Sequence, residues 1–291
     1  MERIPPTGLH NKSCQGCYVN SSVQLLNCCK SFISYLTTIK ETDNELLYRL
    51  KMLFVDLFKT SYQSVDTFYF LDCYQPQTGD PNEFLSQVFS FCNQTQIFNT
   101  IFQSLFHFHQ TCECGNHIDM KTNEIFFSLY NNGIQRELPE LIQNEITREY
   151  QCTCGKKLNL IPNIEKYPSY LVFFVYNVDY VNGEMKKQTQ SITQHRSITY
   201  GNKTYHLQAM ITHVNGYYDG HCRCFVNTHK GWFGCDDTNV YQWNGILDSN
   251  CNEVVTTFLF KSEDFNDEEV HLNQETIDEY HSFLVKKQHS N

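Results

Sequence analysis

Nowhere in the 291 residues does an apolar run approach the roughly 20 residues that a membrane-spanning helix needs. The opening Met1-Glu2-Arg3-Ile4-Pro5-Pro6 also lacks the apolar core of a secretory signal. These absences predict an intracellular protein, cytoplasmic or nuclear, with no membrane partner. No Pro/Gly/Ser-rich linker or low-complexity tract divides the chain, so one domain with subdomains is expected. An excess of positive charge is missing too: 22 Lys and Arg stand against 32 Asp and Glu, a formal charge of −10. That balance excludes a nucleic-acid binder that tracks phosphates. Residues 261–291 hold eight acids and three bases, half of the excess, so the main body is only mildly acidic.

Cysteine, by contrast, is abundant. Fourteen of them in a chain without a signal peptide predict reduced thiols, metal ligands and a nucleophile instead of a disulfide frame. Asn11, Asn20, Asn93 and Asn202 each begin an N-x-[ST] sequon. They are discounted as glycosylation sites because Asn20 lies one turn from Cys17, where a glycan would obstruct a cleft.

Apolar residues at Val19, Val23, Leu26, Cys29 and Ile33 predict one helix from Tyr18 to Leu36, opened by Cys17. Thr42-Asp43-Asn44-Glu45 reads as a capping box leading into a helix through Leu46, Leu50, Leu53, Phe54, Leu57 and Phe58. Asp80-Pro81-Asn82-Glu83 reads as a stronger start, with a capping Asp, a Pro at the first helical position and a reciprocal Glu. After Ser128 the pattern turns to strands at Tyr170–Val178, Tyr205–His213, Cys222–Val226 and Val254–Phe260. A helical lobe beside a β lobe predicts a cleft between them. In the acidic tail, Ile277, Tyr280 and Leu284 form a short amphipathic stripe, expected to dock as a terminal helix.

Cys17 follows a glycine-bearing loop and starts an apolar-periodic segment. At a helix N-terminus the unsatisfied N–H groups and the dipole stabilise a thiolate and lower its pKa. A lone cysteine there is more often a small buried hydrophobe, but Gly220-His221 and Asp236-Asp237 offer a base and an acid to orient it. Separately, Cys112-Glu113-Cys114-Gly115 and Cys152-Thr153-Cys154-Gly155 lie forty residues apart, each pair followed by glycine. Four such thiolates fit tetrahedral Zn²⁺ in a closed structural site, although the usual spacer is two residues and here it is one.

The run Gly8-Leu9-His10-Asn11 through Cys17-Tyr18-Val19-Asn20-Ser21 resembles the cysteine box G-L-x-N-x-G-N-T-C-Y-x-N-S of the ubiquitin-specific proteases. Tyr205-His206-Leu207-Gln208-Ala209 to His213-Val214-Asn215-Gly216, then Gly220-His221, resembles their histidine box, and Trp232 to Val240 resembles W-x-x-x-D-D-x-x-V. Asp80 to Leu85 resembles Q-D-A-x-E-F-L, which makes four partial matches in order over roughly residues 8 to 260.

The resemblance implies an α+β, papain-like cysteine protease fold with a helical thumb, a β-rich palm and β fingers. It divides the chain into a catalytic domain at 1–261, with a helical lobe at about 8–110, zinc-binding fingers at about 111–165 and a palm at about 166–261, followed by a tail at 262–291. It implies a deubiquitinase with Cys17 as nucleophile, His221 as general base, Asp236 as its orienter and Asp237 as the adjacent acid. Asn11 is the implied oxyanion donor, with Gln15 as second choice. His213 matches a family histidine that does no chemistry, and Cys222, in place of the usual tyrosine, is assigned to packing. Cys112, Cys114, Cys152 and Cys154 become the ligands of a structural Zn²⁺ at the finger tip. Ubiquitin, or a related modifier, and ubiquitinated proteins are the implied partners; protease of another ubiquitin-like modifier and inactive ubiquitin-binding scaffold are the alternatives. The chain departs from the family in having one residue more between Asn11 and Cys17, and in replacing an L-K-R-F strand by Leu171-Val172-Phe173-Phe174, without the bases.

Overall fold

Cys17 begins a helix whose next nine side chains are all buried, and the rest of the fold is arranged around it. The computed structural model describes residues 5–11, 16–59, 64–74, 79–131, 137–181, 184–215, 220–247 and 252–290. The first lobe holds strand β1 (Gly8–His10), helices α1 (Cys17–Asn27), α2 (Lys30–Leu36) and α3 (Glu45–Lys59), strand β2 (Ser64–Asp66), and helices α4 (Thr67–Phe70), α5 (Pro81–Cys92) and α6 (Gln96–Phe102). Strands β1 and β2 pair in parallel.

Two sequence-based expectations are corrected here. The helix expected from Tyr18 to Leu36 is two helices, separated at Cys28 and Cys29, where Cys29 leaves helical geometry at φ −101° and ψ 80°. Periodicity alone could not reveal the break, because the apolar spacing continues across it; the carbonyl of Cys28 instead accepts the hydroxyl of Tyr170 at 3.3 Å. Helix α3 is capped by Asn44, not Thr42: Asn44 Oδ1 accepts the N–H of Leu47 at 3.0 Å. Asn caps as well as Thr or better, and Asp43 is engaged with the N–H of Lys40. At α5, Asp80 accepts the N–H of Asn82 at 2.8 Å with Pro81 in the first turn, as its sequence predicts.

A β extension follows, formed by β3 (Ser104–Thr111) and β4 (His117–Glu124), and then the chain supplies β5 (Phe127–Tyr130), α7 (Leu138–Ile146), β6 (Arg148–Gln151), β7 (Lys157–Leu160) and β8 (Asn163–Lys166). Strand β3 lies between β4 and β8, and β6 pairs with β7. Strand β5 leaves this extension and pairs in parallel with β9 (Tyr170–Tyr176), so the segment at 111–165 is divided between the β extension and the large sheet. The remaining strands are β10 (Val178–Val181), β11 (Glu184–Lys187), β12 (Ser197–Tyr200), β13 (Lys203–Val214), β14 (His221–Thr228), β15 (Gly231–Asp236), β16 (Asn239–Gln242) and β17 (Val254–Ser262), before helix α8 (Gln274–Ser290).

The palm sheet runs β16-β15-β14-β13-β17-β9-β5, with β12 added beside β13. It is covered on both faces, which explains the unbroken apolar run of β9. Tyr170, Val172 and Phe174 join the core beneath the helices, whereas Leu171, Phe173 and Val175 join a second core with α7 and the base of the fingers. Helix α8 docks on α3: of the expected stripe Tyr280 is buried while Ile277 and Leu284 are half-buried, and Phe283, outside that stripe, is buried and stacks on Phe70 at 5.8 Å. None of the described helices is long and apolar enough to cross a membrane.

Candidate active site and metal centre

The two-residue hairpin Asp237-Thr238 joins β15 to β16, with Asp236 opposite Asn239. Asp237 adopts φ +51°, a left-handed conformation that Asp tolerates better than most side chains. Its carbonyl accepts the N–H of Leu9 at 2.9 Å, and its carboxylate accepts Nδ2 of Asn20 at 2.7 Å and Nδ2 of Asn11 at 2.9 Å. A hairpin of the second lobe is thereby tied to the strand before Cys17 and to the helix that Cys17 opens. Gly8 permits the approach, since a Cβ there would lie 2.6 Å from the carbonyl oxygen of Thr238.

Asn11 is occupied at both ends of its amide. Its Oδ1 accepts the N–H of Gly16 at 2.9 Å while Nδ2 donates to Asp237, so it braces the turn that leads into Cys17. Gly16 is tightly enclosed, with a Cβ there falling 2.2 Å from the ring of Phe68. Gln15 lies outside the described residues.

Strands β14 and β15 are antiparallel neighbours, which carries His221 at the start of one to Asp236 at the end of the other. His221 Nε2 and Asp236 Oδ1 are 2.5 Å apart. The guanidinium of Arg223 adds an ion pair, with Nε 3.3 Å from Asp236 Oδ2. Burial opposes ionisation of Asp236, but the hydrogen bond from His221 and the nearby cationic charge outweigh it and leave its pKa lowered. His221 is raised to about 10, chiefly by Asp236 and then by Cys17.

Both the His221 ring and the Cys222 thiol favour the ionised form of the Cys17 thiol. Its pKa is lowered to about 4, first by the hydrogen bond from Cys222 and, after the opposing effect of burial, by His221. The site is therefore arranged for a thiolate and an imidazolium held by a carboxylate. The expected packing role of Cys222 is incomplete: the side chain is buried, and it also acts electrostatically on the neighbouring sulfur. Asn20 and Arg223 join the site although no sequence-based expectation places them there. Asn20 was legible in principle, because its position is part of the matched cysteine box; Arg223 carries no local signal.

The two cysteine pairs meet. Sγ atoms of Cys112 and Cys154 are 3.7 Å apart, those of Cys114 and Cys152 are 3.5 Å apart, and one sulfur from each of the four lies within 4.8 Å of the others. Zn–S bonds of about 2.3 Å in a tetrahedron place sulfurs roughly 3.8 Å apart, so the donor set fits one Zn²⁺. The two turns are near copies: Gly115 and Gly155 take φ +87° and +86°, and each donates its N–H to the first cysteine of its pair.

The family model for ubiquitin carboxyl-terminal hydrolase matches residues 7–255, and the chain belongs to that family. It is thus one of the deubiquitinating cysteine proteases. No curated protein matches the chain. Among solved structures, the fold is similar to the SAGA DUB module of Ubp8, Sgf11, Sus1 and Sgf73, with TM-score 0.69 and 18% identity over 89% of this chain and 68% of that one. A variant of Ubp8 in the same module bound to monoubiquitin gives TM-score 0.70 and 17% identity, covering 89% of this chain and 70% of that one. These likenesses establish the papain-like α+β fold expected from the sequence.

Proposed function

We propose that this chain hydrolyses the isopeptide bond after the C-terminal glycine of ubiquitin, with Cys17, His221 and Asp236 as its triad. The observation that carries the reading is the pairing of His221 with Asp236 at 2.5 Å on the second lobe, together with the mutual influence of His221 and the Cys17 thiol at the start of α1, each favouring the charged form of the other. The Cys17 thiolate attacks the glycine carbonyl carbon and forms a tetrahedral oxyanion. His221, as imidazolium, protonates the lysine amine as the C–N bond breaks, leaving a thioester on Cys17. His221 then takes a proton from water, the resulting nucleophile attacks the thioester, and the thiolate leaves as the carboxylate of ubiquitin is released. Asp236 holds the imidazole in orientation and stabilises its charge.

Asn11 keeps a second hydrogen on Nδ2 beyond the one given to Asp237, and that hydrogen is assigned to the oxyanion. Donors of this kind are typically worth about 10²–10³ in rate. Asp237 is a positioning residue: it holds Asn11 and the start of α1 against the hairpin that bears Asp236. Cys112, Cys114, Cys152 and Cys154 hold a structural Zn²⁺, whose bound form fixes the two finger turns together and contributes folding energy. Ubiquitin and ubiquitinated proteins, inside the cell, are the proposed partners.

Release of aminomethylcoumarin from the C-terminal amide of ubiquitin tests the assignment. Cys17→Ala should abolish turnover, and unchanged turnover in that variant would end it. A panel of electrophilic probes, each built on one modifier, then identifies the substrate: labelling of Cys17 by a related modifier and not by ubiquitin would overturn the choice of ubiquitin while keeping the triad. Binding of ubiquitin without a covalent adduct would indicate a scaffold.

A further inference from the structure

Strand β3 carries a pattern that neither the cleft nor the four-cysteine cluster uses. Phe106 and Phe108 point into the core, 2% and 1% exposed, so the intervening His107 and His109 share the outer face of the finger sheet. Their ring centroids are 6.1 Å apart. In the antiparallel pairing with β4, His109 stands opposite Asp119, whose side chain emerges on that same face. One nitrogen from each histidine and one oxygen of Asp119 lie within 4.8 Å of one another. Ligands about 2.0–2.2 Å from a common metal ion stand roughly 3.4 Å apart, so an ion would draw the wider separations in and open the His107–Asp119 contact, now 2.5 Å.

A second observation concerns the partner of His107 on its other side. His107 Nε2 faces Asp119 Oδ1 at 2.5 Å, while Nδ1 faces Oε1 of Glu165, on β8, at 3.0 Å. Glu165 is itself held by Lys121 at 2.7 Å. A metal-ligating histidine usually gives its second N–H to a carboxylate, which fixes the tautomer and the ring plane. Glu165 occupies that position, leaving Nε2 aimed at the other two donors.

We propose that His107, His109 and Asp119 form a second metal site, separate from the four cysteines, for a borderline divalent ion such as Zn²⁺, Co²⁺ or Ni²⁺. Two imidazoles and one carboxylate suit these ions and not Mg²⁺ or Ca²⁺, which prefer all-oxygen sites. His109 lies three residues, roughly 10 Å of strand, before Cys112, so the two sites do not share a ligand. The ion cross-links β3 to β4 at the middle of the finger hairpin, where the cysteine cluster clamps its tip. Three protein ligands leave a position open for water or a fourth donor.

Metal content of the full chain, equilibrated with micromolar Zn²⁺ and freed of excess, is the test. Two equivalents are expected, falling to one in the His107→Ala/His109→Ala variant and, independently, to one in Cys114→Ser/Cys154→Ser. With Co²⁺ the two sites separate spectroscopically: thiolates give intense charge-transfer bands, whereas the histidine site gives only weak ligand-field bands, which H107A/H109A removes. Asp119→Asn preserves shape and should weaken the second equivalent by about tenfold or more, a readout that stands even if the double alanine variant folds poorly. One equivalent in the wild type with thiolate bands only, or a second equivalent that survives both H107A/H109A and Asp119→Asn, would overturn the proposal. Loss of the thiolate bands alone would refute the cysteine site and leave this one intact.

Discussion

Asp237 Oδ1 accepts a hydrogen bond from Asn20 Nδ2 at 2.7 Å across 217 residues of chain, and so holds the hairpin after Asp236 on the helix that Cys17 opens. Two adjacent aspartates thereby face different tasks. In the proposed triad Asp236 orients the base, whereas Asp237 ties its hairpin to the helix that Cys17 opens.

That division predicts distinct phenotypes. Asp237→Ala removes the carboxylate that accepts from Asn11 and from Asn20, and leaves Asn20 Nδ2 only the longer bonds to the carbonyls of Leu9 and His10 at 3.4 and 3.3 Å, at a cost of about 1–3 kcal/mol. Both the urea midpoint and kcat/KM should fall. Asp236→Asn should leave the midpoint within about 0.5 kcal/mol of wild type yet lower kcat by roughly 10⁴, because the histidine tautomer is no longer held. Equal losses of stability in the two variants would contradict the division.

The pKa directions set the pH profile of Cys17. Its thiol is lowered to about 4 and His221 is raised to about 10, so the reactive ion pair exists between those limits and is lost by protonation of the thiolate below and deprotonation of the imidazolium above. Cys222→Ala removes the hydrogen bond that most lowers the thiol. The acidic limb of alkylation by iodoacetamide should therefore move to higher pH, while the alkaline limb of turnover, set mainly by Asp236 on His221, moves less. An unshifted acidic limb would show that Cys222 acts only by packing.

Removal of the proposed zinc from the four cysteines should destabilise the fold and leave Cys17 reactive. Chelation, or Cys114→Ser with Cys154→Ser, is expected to lower the melting temperature and the affinity for ubiquitin, while the reactivity of Cys17 with iodoacetamide is retained. Well under one equivalent of zinc in purified wild-type protein would remove the proposed cysteine site.

The terminal helix is part of the folded unit. Phe283 is 7% exposed and packs on Phe70 and Tyr48, so Phe283→Ala should cost about 3 kcal/mol, read from urea unfolding. Lys51, 3% exposed, pairs with Glu279 of the same helix at 2.5 Å. Truncation before Gln274 should lower stability further; no change would refute docking.

Much of this was legible in the chain. Helix α5 could be read from Asp80 and Pro81 because cap and first-turn preferences are local. Strand β9 was legible from its apolar run, although the run itself did not say that helices lie on one face and a second core on the other. The helix start at Asn44 and the break at Cys28-Cys29 were not legible: two capping residues competed in the first case, and an apolar period crossed the second.

Residue types and their order determined the candidate chemistry: a thiol at a helix start, a histidine opening a strand, paired acids in a turn, and two matching cysteine turns. Only the tertiary structure decided which of these meet and in what role. The separation of Asp236 from Asp237, the approach of Cys222 to Cys17, and the joining of His107 to Asp119 and Glu165 all depend on strand register and lobe docking. Such contacts link residues 12 to more than 200 positions apart, where local propensity and periodicity carry no information about which atoms will touch.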